Sequence, residues 1–367
     1  MAFNISCLMM VKDEEDTILR SLISVQNYIN CIILYDTGST DNTIQIVRDF
    51  CNENNINLKL KQDEFINFCE SRNKALDFAD SFGNHDYLLL LDSNDILDDG
   101  EELLKLYIDK EFTNETGFYI TQEWHEHNNV FTYYNIKLIK ANSGWRYKGV
   151  VHEYIHNDNE TPVKNTYNIV LKQDRFYDNI KSMKRFETDK QLLLKEVEIE
   201  PNNSRNIFYL AQTCFCLKEY DESFRNYQLR SCLNEGFKEE IFYSLLRCGD
   251  IIGIQGGNWY DAMVYYMKAY EFEQRVEPLV KIAQYYMSKE LWMISFSFFS
   301  IACNLEYPTD SFLFVDKYMY DYGRWHLLGA IAFYCGERYK EDGRRACEKA
   351  IEAMDRDIDK INLQCYL

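Results

Sequence analysis

Between Ile5 and Leu91 the chain alternates short apolar runs with amphipathic stretches, and this alternation most narrows what it can fold into. Ile5–Val11 and Cys31–Tyr35 read as buried strands, Leu58–Lys61 as a short one, and Tyr87–Leu91 as the most enclosed, being apolar throughout. Between them, Asp13–Tyr28 carries Ile18, Leu19, Leu22, Ile23 and Val25 at helical spacing. Asp41 is placed to cap a helix running to about Cys51, and Glu70–Ala79 predicts another. A strand without a polar face needs cover on both sides, and strand–helix alternation supplies it. The expected product is an open, mostly parallel sheet with helices on both faces and its ligand crevice at the carboxyl ends of the strands. After Asp92 the pattern loosens, and Phe118–Thr121, Phe131–Ile139 and Val150–Ile155 predict further, partly antiparallel strands.

From about Ile180 to Met354 the periodicity is helical and repeats itself. Leu210-Ala211 with Ser223, Tyr227 and Arg230 matches the tetratricopeptide spacing, a large-small pair followed by small, aromatic and small positions. Ala262, Tyr266 and Ala269 repeat the offsets, as do Ile282-Ala283, Ser295, Phe299 and Ala302. Gly343, Cys347 and Ala350 form a weaker copy after an insertion around Thr309 to Tyr322. Small residues at these places let antiparallel helices approach, and aromatics fill the gaps between hairpins. Two domains are therefore expected: an α/β domain over residues 1–175 and an all-α repeat domain over 176–367.

A formal net charge of −19 opposes binding to phosphate backbones or anionic lipid through a broad basic face, which excludes ordinary nucleic-acid recognition. No apolar run reaches the ~20 residues that span a bilayer, and Met1–Ile5 lacks the features of a signal peptide. The 12 cysteines are scattered, and the close pair Cys214 and Cys216 fits no zinc spacing. Reduced thiols in a cytoplasmic protein are expected.

Two constellations could carry chemistry. His152-Glu153-Tyr154-Ile155-His156 has the HExxH pattern, but that motif needs a helix to aim both imidazoles at one zinc, and this segment favours strand. Asp92-Ser93-Asn94-Asp95 closes the most apolar strand, and carboxylates there project into the ligand crevice. Oxygen donors at this spacing suit a divalent metal held against a diphosphate. Asp36 ends the second strand ahead of a Gly-Ser-Thr turn, Asp13 and Glu14 follow the first, and Arg72 opens a helix where it can offer a cation to phosphate.

The segments CLMMVKDEEDTILRSLISV, ILYDTGSTDNT, FCESRNKALDFA, LLLLDSNDIL and GVVHEYI together resemble family 2 glycosyltransferases. The resemblance implies a GT-A fold, the Rossmann-like architecture of nucleotide-diphospho-sugar transferases. It is strongest to the subgroup with a C-terminal tetratricopeptide region, found in bacteria and giant viruses. By that resemblance Lys12, Asp13 and Glu14 match a segment that helps seat the nucleotide. Asp36 matches the contact to the uracil or ribose of a UDP-sugar, and Arg72 an arginine near the base and diphosphate. Asp92 and Ser93 open the DxD-like motif that holds Mn²⁺ or Mg²⁺, with Asn94 in place of its second aspartate. An amide oxygen ligates without charge, so weaker metal binding is expected, with Asp95 as a compensating carboxylate. Glu153 is the expected base of an inverting transfer, with Glu123 and Glu126 as alternatives, and His152 an added metal ligand or phosphate contact. Trp145 is a candidate for the acceptor groove or for the core.

The implied activity is transfer of a sugar from a nucleotide-sugar, a UDP-sugar by this reading, to a protein or glycan acceptor. The helical domain would present the acceptor or form a homodimer. The implied location is the cytoplasm, or the host cytoplasm if the source is viral. The competing expectation is a weakened transferase fold kept as a scaffold for its repeats.

Overall fold

Strands that are apolar throughout have nowhere to lie but the middle of a sheet, and that is where Ile5–Val11, Cys31–Asp36 and Tyr87–Leu90 fall, while the alternating Asn57–Gln62 takes the edge. The computed structural model describes residues 4–83, 85–98, 100–103, 115–126, 129–159, 162–173, 179–311 and 313–367. β1 (Ile5–Val11), β2 (Cys31–Asp36), β3 (Asn57–Gln62) and β4 (Tyr87–Leu90) are parallel and lie in the order β3-β2-β1-β4. β5 (Asp95–Asp98), β6 (Gly117–Glu126), β7 (Asn129–Lys140) and β10 (Val163–Gln173) extend the sheet to eight strands, in the order β4-β7-β6-β10-β5. β7 runs antiparallel to both β4 and β6, and β5 is antiparallel to β10. β8 (Trp145–Lys148) and β9 (Tyr154–Asn157) form a separate hairpin.

Alternate residues of β1 enter opposite layers. Ile5, Cys7 and Met9 pack with α1 (Ile18–Val25) and α2 (Thr43–Asn54), while Leu8 packs with Ala75, Leu76 and Ala79 of α3 (Phe68–Asp80). The α3 start is fixed by Asn67, whose side chain accepts the Glu70 N–H at 2.8 Å and donates to the Glu70 carboxylate at 2.8 Å.

Two expected elements differ. The helix predicted from Asp13 begins only at Ile18, because Asp13 has a left-handed φ of 53° and residues 13–15 bond to the 39–43 loop instead. The strand expected over Val150–Ile155 covers only Tyr154–Asn157, because positive φ at Gly149 (92°) and His152 (50°) bends the chain first. Trp145 is core: it is buried, donates from Nε1 to the Thr116 carbonyl at 2.8 Å, and leaves no space for a Cβ at Gly117.

Contacts divide the chain into units 1–182 and 183–367, and residues 174–178, where the expected boundary falls, lie outside the described residues. After the last strand, α4 (Asn179–Ile199) precedes four antiparallel hairpins among the described residues. They are α5 (Ser204–Cys216) with α6 (Tyr220–Cys232), α7 (Lys238–Ile254) with α8 (Trp259–Phe272), α9 (Val276–Ser288) with α10 (Trp292–Cys303), and α11 (Arg324–Ala332) with α12 (Lys340–Ala353). α13 (Asp357–Gln364) follows.

Tetratricopeptide-like packing is visible atom by atom. Ser223 Oγ donates to the Ala211 carbonyl at 2.8 Å, and Ser295 Oγ repeats the bond to Ala283 at 2.8 Å. Gly249 faces the Tyr266 ring and Gly329 faces Cys347, each too closely for a methyl group. The insertion carries a π-helical turn at Met319–Gly323. No described helix is long and apolar enough to cross a membrane.

Candidate active site

The loops at the carboxyl ends of β1 and β2 are tied to one another. Asp36 is fully buried, and its carboxylate accepts the N–H of Gly38 and of Ser39 at 3.1–3.3 Å and the Gln62 amide at 3.4 Å. Asp36 thus holds the DTGST turn in shape, with its oxygens inside the protein. The Asp13 carboxylate accepts the Thr40 N–H at 2.7 Å, and that of Glu15 accepts the Asn42 N–H at 3.0 Å. Glu14 is half-buried and accepts the Thr17 hydroxyl at 2.8 Å, whereas Lys12 is exposed. Asp41 accepts the Thr43 N–H at 2.9 Å, so it assists the start of α2 as expected.

The aspartate loop after β4 is the centre of a second network. Arg72, one turn into α3, donates from Nη2 to Asp92 Oδ1 at 2.7 Å and from Nε to Glu153 Oε1 at 2.7 Å. Its guanidinium lies 5.3 Å from the centre of the Tyr147 ring. The next residue, Asn73, clamps β8 by accepting the Tyr147 N–H at 2.7 Å and donating to the Tyr147 carbonyl at 2.9 Å. One helical turn therefore sets both the cation and the strand beneath it.

Lys137 supplies a second cation that sequence reasoning missed. Its Nζ lies 2.7 Å from Asp92 Oδ2 and 3.0 Å from Asp95 Oδ2. The other oxygen of Asp95 accepts the amides of Gln122 at 3.3 Å and Gln173 at 3.1 Å. Asn135 and Tyr133 complete this polar layer by donating to the Gln122 and Gln173 side-chain oxygens at 2.6 and 2.7 Å. Exposure sorts the roles: side chains are 29% exposed at Asp92, 13% at Glu153, 10% at Lys137 and 0% at Asp95. Asp92 meets solvent, and Asp95 anchors.

Burial alone would raise the Asp92 pKa, but Arg72 and Lys137 outweigh it and hold the carboxylate well below its usual range. Burial also opposes charge on Lys137 and Arg72. Asp92 and Asp95 overcome it for the lysine, and Asp92, Tyr147 and Glu153 for the arginine, so both pKa values rise. Asp92, Arg72 and Lys137 are therefore fixed charges at neutral pH.

The structure thus brings Arg72, Asp92 and Glu153 together, with Ser93 and Asn94 in the same loop. Ser93 is buried, and its carbonyl accepts the Ser21 hydroxyl at 2.5 Å. Asn94 is half-buried, and its side chain makes no hydrogen bond to another described residue. Lys12 and Glu14 lie on the loop after β1 and Asp36 ends β2, and none of the three makes a hydrogen bond or ion pair to the Arg72 network among the described residues. His152 is exposed. Glu123 is half-buried on β6, and the Glu126 side chain lies outside the described residues. The HExxH segment is a bend followed by a strand, and the described residues hold no group of three His, Cys, Asp or Glu ligands there.

The eight-stranded mixed sheet, the acidic loop at its strand ends and the helical hairpins that follow agree with the expected glycosyltransferase domain and tetratricopeptide-like repeats. Residues 6–181, a little under half of the chain, match the family model described as Glycosyl transferase family 2. Among solved structures, TarS residues 1–349 of S. aureus in complex with UDP-GlcNAc is 14% identical, with 70% of this chain and 93% of that one covered and a TM-score of 0.40. The MamA protein is 13% identical over 48% of this chain and 87% of its own, with a TM-score of 0.36. YrrB, a TPR protein with an unusual peptide-binding site, is 11% identical over 50% and 86%, with a TM-score of 0.34. No curated protein matches the chain.

Glycosyltransferases of this fold generally use a divalent metal. The donor set fits one: a partly exposed carboxylate at Asp92 and an amide oxygen at Asn94 are hard ligands. Each carboxylate oxygen has lone pairs beyond those its present partners use.

Proposed function

We propose that the N-terminal unit transfers a sugar from a nucleotide-sugar, a UDP-sugar, to a hydroxyl or thiol of a protein or glycan acceptor, with inversion at the anomeric carbon. The observation that carries this reading is the single guanidinium of Arg72 linking Asp92 to Glu153 at the carboxyl edge of the parallel strands, within a family 2 domain. Lys12 and the loop shaped by Glu14 and Asp36 are proposed to seat the nucleoside, with Arg72 and Asp92 at the diphosphate. Asp92 and Asn94, with His152 as an added ligand, would hold Mn²⁺ or Mg²⁺, which would supply charge neutralisation at the leaving diphosphate. Glu153 takes the acceptor proton as the new glycosidic bond forms and the bond to the diphosphate oxygen breaks. Arg72 keeps that carboxylate aimed.

The helical unit is proposed to present the acceptor or to pair two copies of the chain. α8 exposes Tyr260, Val264 and Met267 on one side. All twelve cysteines are free, which suits a reducing compartment such as the cytoplasm. The test is release of sugar or its transfer from a panel of UDP-sugars in Mn²⁺ buffer, with Asp92→Ala as control. Turnover abolished by Asp92→Ala supports the reading, while turnover unchanged by it, or no UDP-sugar binding at all, defeats it and returns the repeat scaffold as the better account.

A further inference from the structure

Lys137 occupies an unusual place in β7. Phe118 of β6 faces Leu138 while Tyr119 faces Ile136, so Lys137 is the extra residue of a β-bulge. Bulges beside active sites re-aim a side chain, and this one delivers an ammonium between Asp92 and Asp95. Asp92 consequently has one oxygen against Arg72 and the other against Lys137, both at 2.7 Å. A divalent ion arriving alone would find both oxygens of Asp92 already paired with fixed cations, while position 94 contributes only a neutral amide. A diphosphate changes that balance, since its negative charges can satisfy the ion and the displaced cations together.

We propose that Lys137 is a positioning residue that occupies the cation's place against Asp92 and keeps it closed to a free divalent ion until the donor diphosphate is present. The proposal rests on the donor site described above. It makes metal and nucleotide binding strongly coupled, and it assigns that coupling to one bulged side chain.

The experiment measures Mn²⁺ binding to the full chain by electron paramagnetic resonance, with and without UDP, alongside UDP binding by calorimetry. In the wild type, UDP is expected to raise Mn²⁺ affinity more than about tenfold, within the usual span of coupling between two ligands. Lys137→Gln is expected to raise Mn²⁺ affinity without UDP by about tenfold and to shrink the effect of UDP, and Lys137→Arg to restore the wild-type pattern. Asp95→Asn combined with Lys137→Gln removes both buried charges and gives the same reading should the single variant fail to fold. Equal Mn²⁺ affinity with and without UDP in the wild type overturns the proposal. So does a Lys137→Gln protein that loses thermal stability while its UDP-free Mn²⁺ affinity stays put. Failure of UDP to bind under any condition instead removes the donor reading on which the proposal stands.

Discussion

Arg72 Nε stands 2.7 Å from Glu153 Oε1, although 81 positions separate the two residues. The contact depends on two local features. Asn73 fixes β8 against α3, and the left-handed turn at His152 reverses the chain just before Glu153. Because Arg72 also reaches Asp92, the proposed base and the proposed diphosphate ligand share one rigid cation.

Arg72→Lys is expected to lower kcat/KM by about 100-fold, equivalent to ~2.7 kcal/mol. Lysine carries its charge at one point and lacks the planar fork that addresses two separate carboxylates. Steady-state transfer or donor hydrolysis reads the change, and a loss smaller than about threefold would show that Arg72 does not bridge them during turnover.

Glu153→Gln keeps the shape and an acceptor oxygen for Arg72 but removes the base. The expected result is a fall in kcat of about 10²–10⁴ with UDP affinity little altered. Calorimetry and single-turnover kinetics separate the two, and a normal kcat moves the base to Glu123 or elsewhere.

Asn94→Asp restores a charged oxygen at the second position of the motif. Mn²⁺ affinity in the presence of UDP is expected to rise about tenfold, since ligand charge tunes such sites by decades. An unchanged affinity would place Asn94 outside the coordination sphere.

His85 is buried and its Nε2 has no hydrogen-bond partner among the described residues. Burial lowers its pKa from 6.5, against the opposing pull of Asp80 and Asp86. The unfolded chain therefore binds this proton more readily than the folded one, so the stability from neutral His85 is present above pH 6.5 and declines as pH falls below it. Melting temperature followed from neutral pH downward should drop in the wild type and drop less in His85→Leu.

Gly249→Ala puts a methyl carbon about 2.6 Å from the Tyr266 ring edge. Overpacking of this kind costs about 1–3 kcal/mol, so chemical denaturation should show a weaker helical unit. Stability equal to the wild type would mean that the α7–α8 hairpin can open without loss.

The order of strands and helices was legible because three apolar runs alternating with amphipathic stretches admit only a covered sheet, and the repeat was legible because Ala211, Ser223, Ala283 and Ser295 sit at fixed offsets. Asp92 and Arg72 could be found for a related reason, since one closes an apolar strand and the other lies near the start of a helix, whereas Glu153 was reached only through the family resemblance. Lys137 could not. Strict alternation along Phe131–Ile139 puts Ile136 and Leu138 on one face, yet they enter opposite layers, Ile136 with Leu8 and Tyr35 and Leu138 with Cys7 and Met9. One inserted residue makes the difference, and a bulge leaves no mark in hydrophobic pattern. The only hint was an excess of polar side chains, Tyr133, Asn135 and Gln122, on strands that had to be interior. Asp36 was read as a ligand contact, and the pattern gave no sign that its oxygens also hold its own turn.

The inserted segment before α11 is pinned from two hairpins at once. Glu239 of α7 accepts the Leu313 N–H at 2.5 Å, and Arg275, just before α9, donates to the carbonyls of Leu313 at 3.2 Å and Phe314 at 3.0 Å. Stacked helical pairs ordinarily communicate only with the pair on either side and can be added or deleted like beads. Here the crosspiece welds several pairs into one block, so this stretch melts as a whole instead of peeling from an end, and it cannot be shortened a unit at a time.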